Sequence, residues 1–377
     1  VFAKPKEKPE MDSIRELLVS NSEVSLVIGG LIIGLVFGFV VYRTNFCTMG
    51  SLSDILSFGD YRRFRSWLLA IAISIFGVQL LHVAGVVDIT KSMYLAPGFN
   101  WLSNIIGGLM FGFGMAFAGG CTSRNLVRAG GGDLRSLIVL IVIGIFAYMT
   151  IGGLIGPLRA ELQGATQIDL TTLKVDSQGM GGLFAHFTGL DSELAVGFIT
   201  LALAGGLMAF CFADKGFRSS PVHITAGVVI GLCIIAGWVL TGLAYDDFGD
   251  RVQNPISLSF VRPSGDTLEY LMRFTAQMIP SFGVATVLGA LAGAFAGAVS
   301  MGQFRVATFA DPGDTLRNLF GAAMMGVGGV LALGCTIGQG LTGLSTLAIG
   351  SLTALIAIIA GGIIGIKSLE MMLLRQA

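Results

Sequence analysis

Charge is the first thing this chain is short of. Only 12% of its 377 residues are Asp, Glu, Lys or Arg, about half the share of a soluble domain. A surface so poor in charge points to a bilayer as the solvent. The charges that exist also balance, with 23 basic and 23 acidic side chains. No basic excess remains for a phosphate backbone, so no nucleic-acid partner is expected. Histidine is nearly missing: His82, His186 and His223 stand far apart. The five cysteines, Cys47, Cys121, Cys211, Cys233 and Cys335, are an odd number and never form C-x-x-C. Such material builds neither a disulfide framework nor a zinc site, and no metal or cofactor is expected. P-loop, G-x-S-x-G and H-E-x-x-H patterns are missing too, so enzyme chemistry is not expected. The first apolar run follows a polar stretch without an A-x-A-like site, so no cleaved signal is expected.

Apolar residues and glycine fill the rest: 54% of the chain is hydrophobic and 55 residues are glycine. A membrane-spanning helix needs about 20 mostly apolar residues. Nine stretches qualify: 25–42, 66–87, 101–119, 134–156, 194–213, 222–245, 274–299, 318–333 and 346–366. The eighth is short. Polar connections at 157–193 and 246–273 are expected outside the membrane, each with a short surface helix at most. The chain then divides into a polar tail (1–24), a first membrane half (25–156), a polar loop with a connecting span (157–221), a second half (222–366) and a C-terminal tail (367–377). Thirteen of the 23 basic residues fall on the side that holds the C-terminus and ten on the other. Basic residues concentrate in cytoplasmic loops, which places the C-terminus inside and the N-terminus outside.

The glycines hide a repeat. GLVFGFVVYRTNFCT (34–48), GLMFGFGMAFAGGCT (108–122), GVVIGLCIIAGWVLT (227–241) and AAMMGVGGVLALGCT (322–336) align without gaps. Gly38, Gly112, Gly231 and Gly326 occupy one shared position. A second small residue stands four before it, on the same helix face. Such stripes let helix backbones approach closely in a membrane. Three of the four helices end in Cys-Thr; the third ends in Leu240-Thr241. The first pair of units lies on odd-numbered spans, the first and third, and the second pair on even-numbered ones, the sixth and eighth, so the two pairs enter the membrane in opposite senses. That is an inverted-topology repeat, an architecture common in transporters.

Each Cys-Thr precedes a short potential helix, at 50–56, 123–129 and 338–344. Non-helical backbone at membrane depth survives only inside protein or beside a water-filled cavity. Thr or Ser is expected to cap each short helix. The helix N-terminus then aims its N–H groups and positive dipole end at the cysteine, which makes an anion site. The expected fold class is an all-α polytopic membrane protein. It has about nine transmembrane helices plus short broken or re-entrant helices.

NFCTMGSLSD (45–54), FGFGMAFAGGCTSRNLVRAGGGDLRS (111–136) and LGCTIGQGLTGLS (333–345) resemble the YeeE/YedE family of bacterial inner-membrane sulfur transporters, whose studied members import thiosulfate. The resemblance runs over about residues 25–366. It implies an hourglass-shaped inverted repeat with three central cysteines on the path; by motif these are Cys47, Cys121 and Cys335. It also implies import of thiosulfate or a similar small anion, and a separate TusA-like cytoplasmic sulfur carrier as partner. Another sulfur or selenium compound is the alternative cargo. A membrane thiol sulfurtransferase or oxidoreductase is the alternative activity.

Thiols suit such an anion. Thiosulfate carries two negative charges and a soft terminal sulfur, and S–H is a weak donor. Weak contacts in succession let an ion enter and leave. Cys47, Cys121 and Cys335 are therefore expected as successive S–H contacts, helped by Thr48, Thr122, Thr336 and the backbone at Gly120 and Gly334. Cys335 is expected toward the outer half, Cys47 and Cys121 toward the inner half. Arg124 draws the anion or snorkels to lipid phosphates. Gln339 is expected to offer an amide N–H, with Asn45 as a weaker candidate. Arg128 reads as an interface residue, and Asp311 and Asp314 as caps of the eighth helix. Cys211 and Cys233 read as packing residues.

Overall fold

The computed structural model describes residues 21–173, 175–246, 254–276, 278–309 and 311–376. In chain order the helices are α1 (Ser22–Thr44), α2 (Thr48–Phe58), α3 (Arg62–Val83), α4 (Trp101–Phe117), α5 (Thr122–Gly130), α6 (Leu134–Ile151), α7 (Gly156–Thr166), α8 (Met180–Thr188), α9 (Ser192–Ala213), α10 (Lys215–Arg218), α11 (Pro221–Leu243), α12 (Val261–Met272), α13 (Phe282–Ser300), α14 (Pro312–Leu331) and α15 (Ile349–Gln376). A π-helix, Gly338–Gly343, lies between the last two. The chain is thus an all-α polytopic membrane protein. Each of the nine expected spans has its helix. Eight spans are long and apolar enough to cross a membrane. The remaining one, α14, starts with charge: Asp311 caps it by accepting from the N–H groups of Gly313 and Asp314, and Arg317 pairs with Asp314.

Glycine decides which helices meet. The shared glycine of each unit lies against the backbone or β-branched flank of one particular neighbour. A β-carbon on Gly38 would strike the Ala290 carbonyl of α13, and one on Gly112 the Ile358 carbonyl of α15. One on Gly231 would meet Ile73 and Ala70 of α3, and one on Gly326 the Ile143 carbonyl of α6. The pattern is reciprocal. The first unit's long helix packs on the helix that leaves the third unit, and the third unit's on the helix that leaves the first. The second and fourth units exchange in the same way. Successive contacts run in register along α1 and α13, along α4 and α15, and along α3 and α11, so each of these pairs is parallel. By contrast α1 lies antiparallel to α11, and α4 antiparallel to α14.

The connection expected outside the membrane at 246–273 partly runs inward. Residues 257–261 are buried, apart from Ser259, and α12 follows them. The Leu258 carbonyl accepts from Thr342 of the π-helix, and Ser257 donates to the Ile234 carbonyl. The third unit therefore has its own short helix, α12. Two of its carboxylates, Asp266 and Glu269, stand where a loop was expected. They face the end of α6, where the Tyr148 hydroxyl meets Asp266 at 2.7 Å and Glu269 at 2.5 Å. Thr241 does not end its helix: α11 runs through it, and its hydroxyl holds Ile256 instead. The other long connection carries a two-stranded antiparallel ribbon, β1 (Gly98–Phe99) with β2 (Ile168–Asp169). Gln178 pins it by donating to the carbonyls of Ala96 and Gly98. Backbone bonds from Met180 to Leu347 and from Ile349 to Gln178 lay this connection over the turn after the π-helix.

Candidate functional site

Three helices stop in the same way. Two residues before each motif cysteine the chain turns left-handed, at Asn45 (φ 55°), Gly119 (φ 73°) and Leu333 (φ 58°). Asn and Gly adopt that conformation cheaply; a leucine there is strained by about 1–2 kcal/mol. The cysteine that follows is extended at Cys47 and Cys121, and its carbonyl accepts the first bond of the next short helix from Ser51 (3.0 Å) and Asn125 (3.0 Å). The Cys335 carbonyl likewise accepts from Gln339 at 2.8 Å. Thr was expected to cap these helices, but the cysteine itself does. Cys47 Sγ accepts from the Gly50 N–H and Cys335 Sγ from the Gly338 N–H, both at 3.4 Å. Cys121 Sγ instead meets the Ser123 hydroxyl at 3.3 Å. With cysteine in the cap position, threonine takes the first position of the helix, beyond reach of a capping role.

That displacement leaves the threonines without a task in the protein. Thr48, Thr122 and Thr336 are buried, and none of their hydroxyls has a hydrogen-bond partner. A buried hydroxyl left unpaired costs about 1–3 kcal/mol. One such group is an accident of packing; three at the same repeat position are a shared feature of the motif. Replacing Thr122 by the isosteric valine should therefore raise the thermal unfolding midpoint, while slowing transport. A valine variant that is less stable than the parent would show that the hydroxyl has a partner after all.

The sulfurs gather. Cys121 lies within interaction distance of both Cys47 and Thr336, which joins three of the four units at one point. Arg124 reaches the same region from α5. Cys335 Sγ instead keeps the Gly338 N–H at the start of the π-helix. All five cysteines are unpaired and buried. Cys211 donates to the Arg65 carbonyl between α9 and α3, and Cys233 packs in the core along α11. The remaining predicted residues divide by role. The N–H groups of Gly120 and Gly334 close back onto Met115 and Gly329, so these glycines shape the turns. Gly120 also needs its freedom of φ, at 154°. Gln339 gives an amide N–H to the Ala332 carbonyl, and its Oε1 is the atom left unpartnered. Arg124 donates to Asn45 Oδ1 at 2.8 Å. Arg128 holds the turn by donating to the Gly119 carbonyl and pairing with Asp133. Among the described residues no cluster of metal ligands occurs.

Some polar groups here escaped the sequence reading. Trp67 Nε1, Tyr94 OH and Ser351 Oγ are buried without partners. Trp67 lies against Gly340, and Tyr94 and Ser351 against Gly343, so all three surround the π-helix. Such helices are rare and are frequent at functional sites. This one is braced by polar bonds: Gln79 donates to the Ser345 carbonyl and Trp238 to the Ser345 hydroxyl. Tyr94 comes from a loop between spans, and no local pattern marks it.

Comparison with known proteins matches this geometry to a function. Residues 43–364 match a family described as Sulphur transport. The chain is 30% identical to the thiosulfate transporter TsuA of Escherichia coli (strain K12) over 332 residues, 84% of this chain and 87% of that protein. It is 26% identical to the thiosulfate transporter TsuA of Spirochaeta thermophila over 328 residues, 84% of this chain and 90% of that protein. Over a shorter stretch of 105 residues it is 29% identical to the probable transporter YedE of Salmonella typhimurium, which covers 28% of this chain and 24% of that protein.

Proposed function

Because the chain belongs to the Sulphur transport family, we propose that it carries thiosulfate across the bacterial inner membrane, past Cys335 and then past Cys121 and Cys47. One observation carries this reading. The three Cys-Thr motifs, far apart in sequence, meet deep in a membrane protein with three buried hydroxyls unpaired. An anion passing there would find neutral S–H and O–H donors, with Arg124 close to the same region. Neutral donors hold a dianion weakly enough to release it. The short helices α2 and α5 begin at the two thiols, and their N-terminal dipole ends lower the cost of negative charge in that place.

The reciprocal glycine contacts support an inverted repeat, with the first and third units, and the second and fourth, as mates. An hourglass follows if the two halves taper to the waist at Cys121. The excess of basic residues on the C-terminal side supports a cytoplasmic C-terminus, which makes Cys335 the outer contact. A separate TusA-like carrier on the cytoplasmic side would then receive the sulfur compound.

The direct test uses the purified protein in sealed vesicles with labelled thiosulfate outside. Uptake should exceed that of protein-free vesicles. Excess unlabelled thiosulfate should compete, and sulfate, with no soft sulfur, should compete far less. Equal competition by sulfate would sink the role given to the thiols. Uptake no greater than in empty vesicles would sink the transport reading itself.

A further inference from the structure

On the face where α1 and α13 end, a cavity of about 320 Å³ opens, lined in part by residues close in sequence to Cys47 and Cys121. Its walls include Asn45, Arg124, Arg128, Asp133, Gln303 and Arg305. They come from four separate segments: the end of α1, helix α5, the turn before α6, and the stretch after α13. Three guanidiniums face one carboxylate, a net charge of two positive. Burial opposes ionisation of Asp133, but its hydrogen bond with Arg135 and the charges of Arg128 and Arg135 outweigh it and hold the carboxyl below its usual range. The carboxylate is engaged by Arg128 at 2.8 Å and Arg135 at 3.1 Å. Among the described residues no carboxylate pairs with Arg124 or Arg305. The Arg305 backbone is itself anchored: its N–H donates to Gly131, and that of Ala307 to Gly132, at 3.3 and 3.2 Å. The loop thus holds Arg305 at the cavity.

Two of the residues lining the cavity, Asn45 and Arg124, are bonded to each other. Arg124 donates to Asn45 at 2.8 Å. Asn45 lies two residues from Cys47, and Arg124 three from Cys121. The bond links the first two units.

We propose that this cavity is a second anion site, a vestibule that holds a doubly charged tetrahedral oxyanion, the substrate in passage, outside the thiol pair, with the Asn45–Arg124 bond as the door between them. The inference rests on the transport reading for its direction of flow, but the site exists whether or not the anion crosses. Its chemistry differs from that of the waist. Here the ion meets formal charge, and the volume leaves room for several waters at about 30 Å³ each, so it stays partly hydrated. Two positive charges match two negative ones. A lipid phosphate or inorganic phosphate offers the same chemistry and is the competing occupant.

The test is Arg305→Glu, with Arg305→Lys as the charge-conserving control. Arg305 lies in an exposed loop, so the fold should survive. Thiosulfate is titrated into purified protein at low ionic strength. Changing a vestibule charge by two against a dianion should weaken binding by about tenfold or more, with Arg305→Lys close to the parent. Uptake is then measured in vesicles of phosphatidylcholine alone and in vesicles that also contain phosphatidylglycerol. The half-saturating thiosulfate concentration should rise for Arg305→Glu in both lipids. Unchanged binding and unchanged half-saturation overturn the vestibule. An effect confined to the anionic-lipid vesicles overturns the substrate assignment and gives the site to a headgroup. Failure of the parent to transport, with binding still lost in Arg305→Glu, strikes the transport reading and leaves the site standing.

Discussion

Cys121→Ala is expected to lower thiosulfate uptake by about tenfold or more, the loss that follows from removing a contact of about 1.5–3 kcal/mol at the narrowest step. No other cysteine stands where it does, between Cys47 from the first unit and Thr336 from the fourth. Cys47→Ala and Cys335→Ala should each cost less, because each sulfur serves one end of the passage. Cys211→Ala and Cys233→Ala, away from the motif, should leave uptake near the parent level. Cys121→Ser is the informative variant. A hydroxyl is a stronger and harder donor than a thiol, and it should slow release of the anion without destroying entry. Full uptake by Cys121→Ser would show that sulfur is dispensable and would remove the central argument. Mass spectrometry on protein quenched during turnover adds a separate check. A persulfide on Cys121, formed when its thiolate takes the outer sulfur of thiosulfate and sulfite departs, would favour group transfer over passage.

Gly112→Leu should prevent accumulation of folded protein, whereas Gly205→Leu should be close to neutral. Both are glycines within apolar helices. Gly112 lies on the Ile358 carbonyl and beside the backbone of Gly361 and Gly362, while nothing lies near a β-carbon at Gly205. Backbone cannot yield as a flexible side chain does, so α4 and α15 must separate to admit the new atoms. Overpacking commonly costs about 1–3 kcal/mol, and separating two whole helices loses contacts along their length as well. The measurement is the yield of monodisperse protein in detergent and its thermal midpoint. A well-behaved Gly112→Leu protein would mean that this contact does not set the helix positions. Gly38→Leu tests the mate contact, between α1 and α13, and should fail in the same way.

Much of the architecture could be read locally. An apolar run of about 20 residues is a property of the segment itself, so a helix lies on each of the nine stretches, although the seventh begins at Phe282 and not at 274, and the eighth at Pro312 and not at 318. The stripe of small residues was legible for the same reason: it follows from spacing along one helix. The three Cys-Thr breaks were also visible, because each lies beside glycines at a fixed offset. The short helix of the third unit was expected at most as a surface helix, not as one partly buried in the fold. Glycine, proline and aspartate give 246–273 the composition of a loop. Only the neighbouring Tyr148, more than a hundred residues away, shows why carboxylates can stand in that place. The cap was misread too. Threonine is the better cap by general preference, yet the extended backbone at Cys47 directs the sulfur onto the Gly50 N–H.

By itself the sequence determined that this chain lives in a membrane, where its long apolar helices lie, where three of them break and which face of each is small. These are consequences of hydrophobic length and helical period, and both act within one segment. Only the tertiary structure decided which helix each glycine touches, that Cys47, Cys121 and Thr336 share one point, and that three arginines surround one cavity. A contact between distant segments depends on how whole helices cross, and that is set by close packing of many surfaces at once. No single stretch of sequence holds that information.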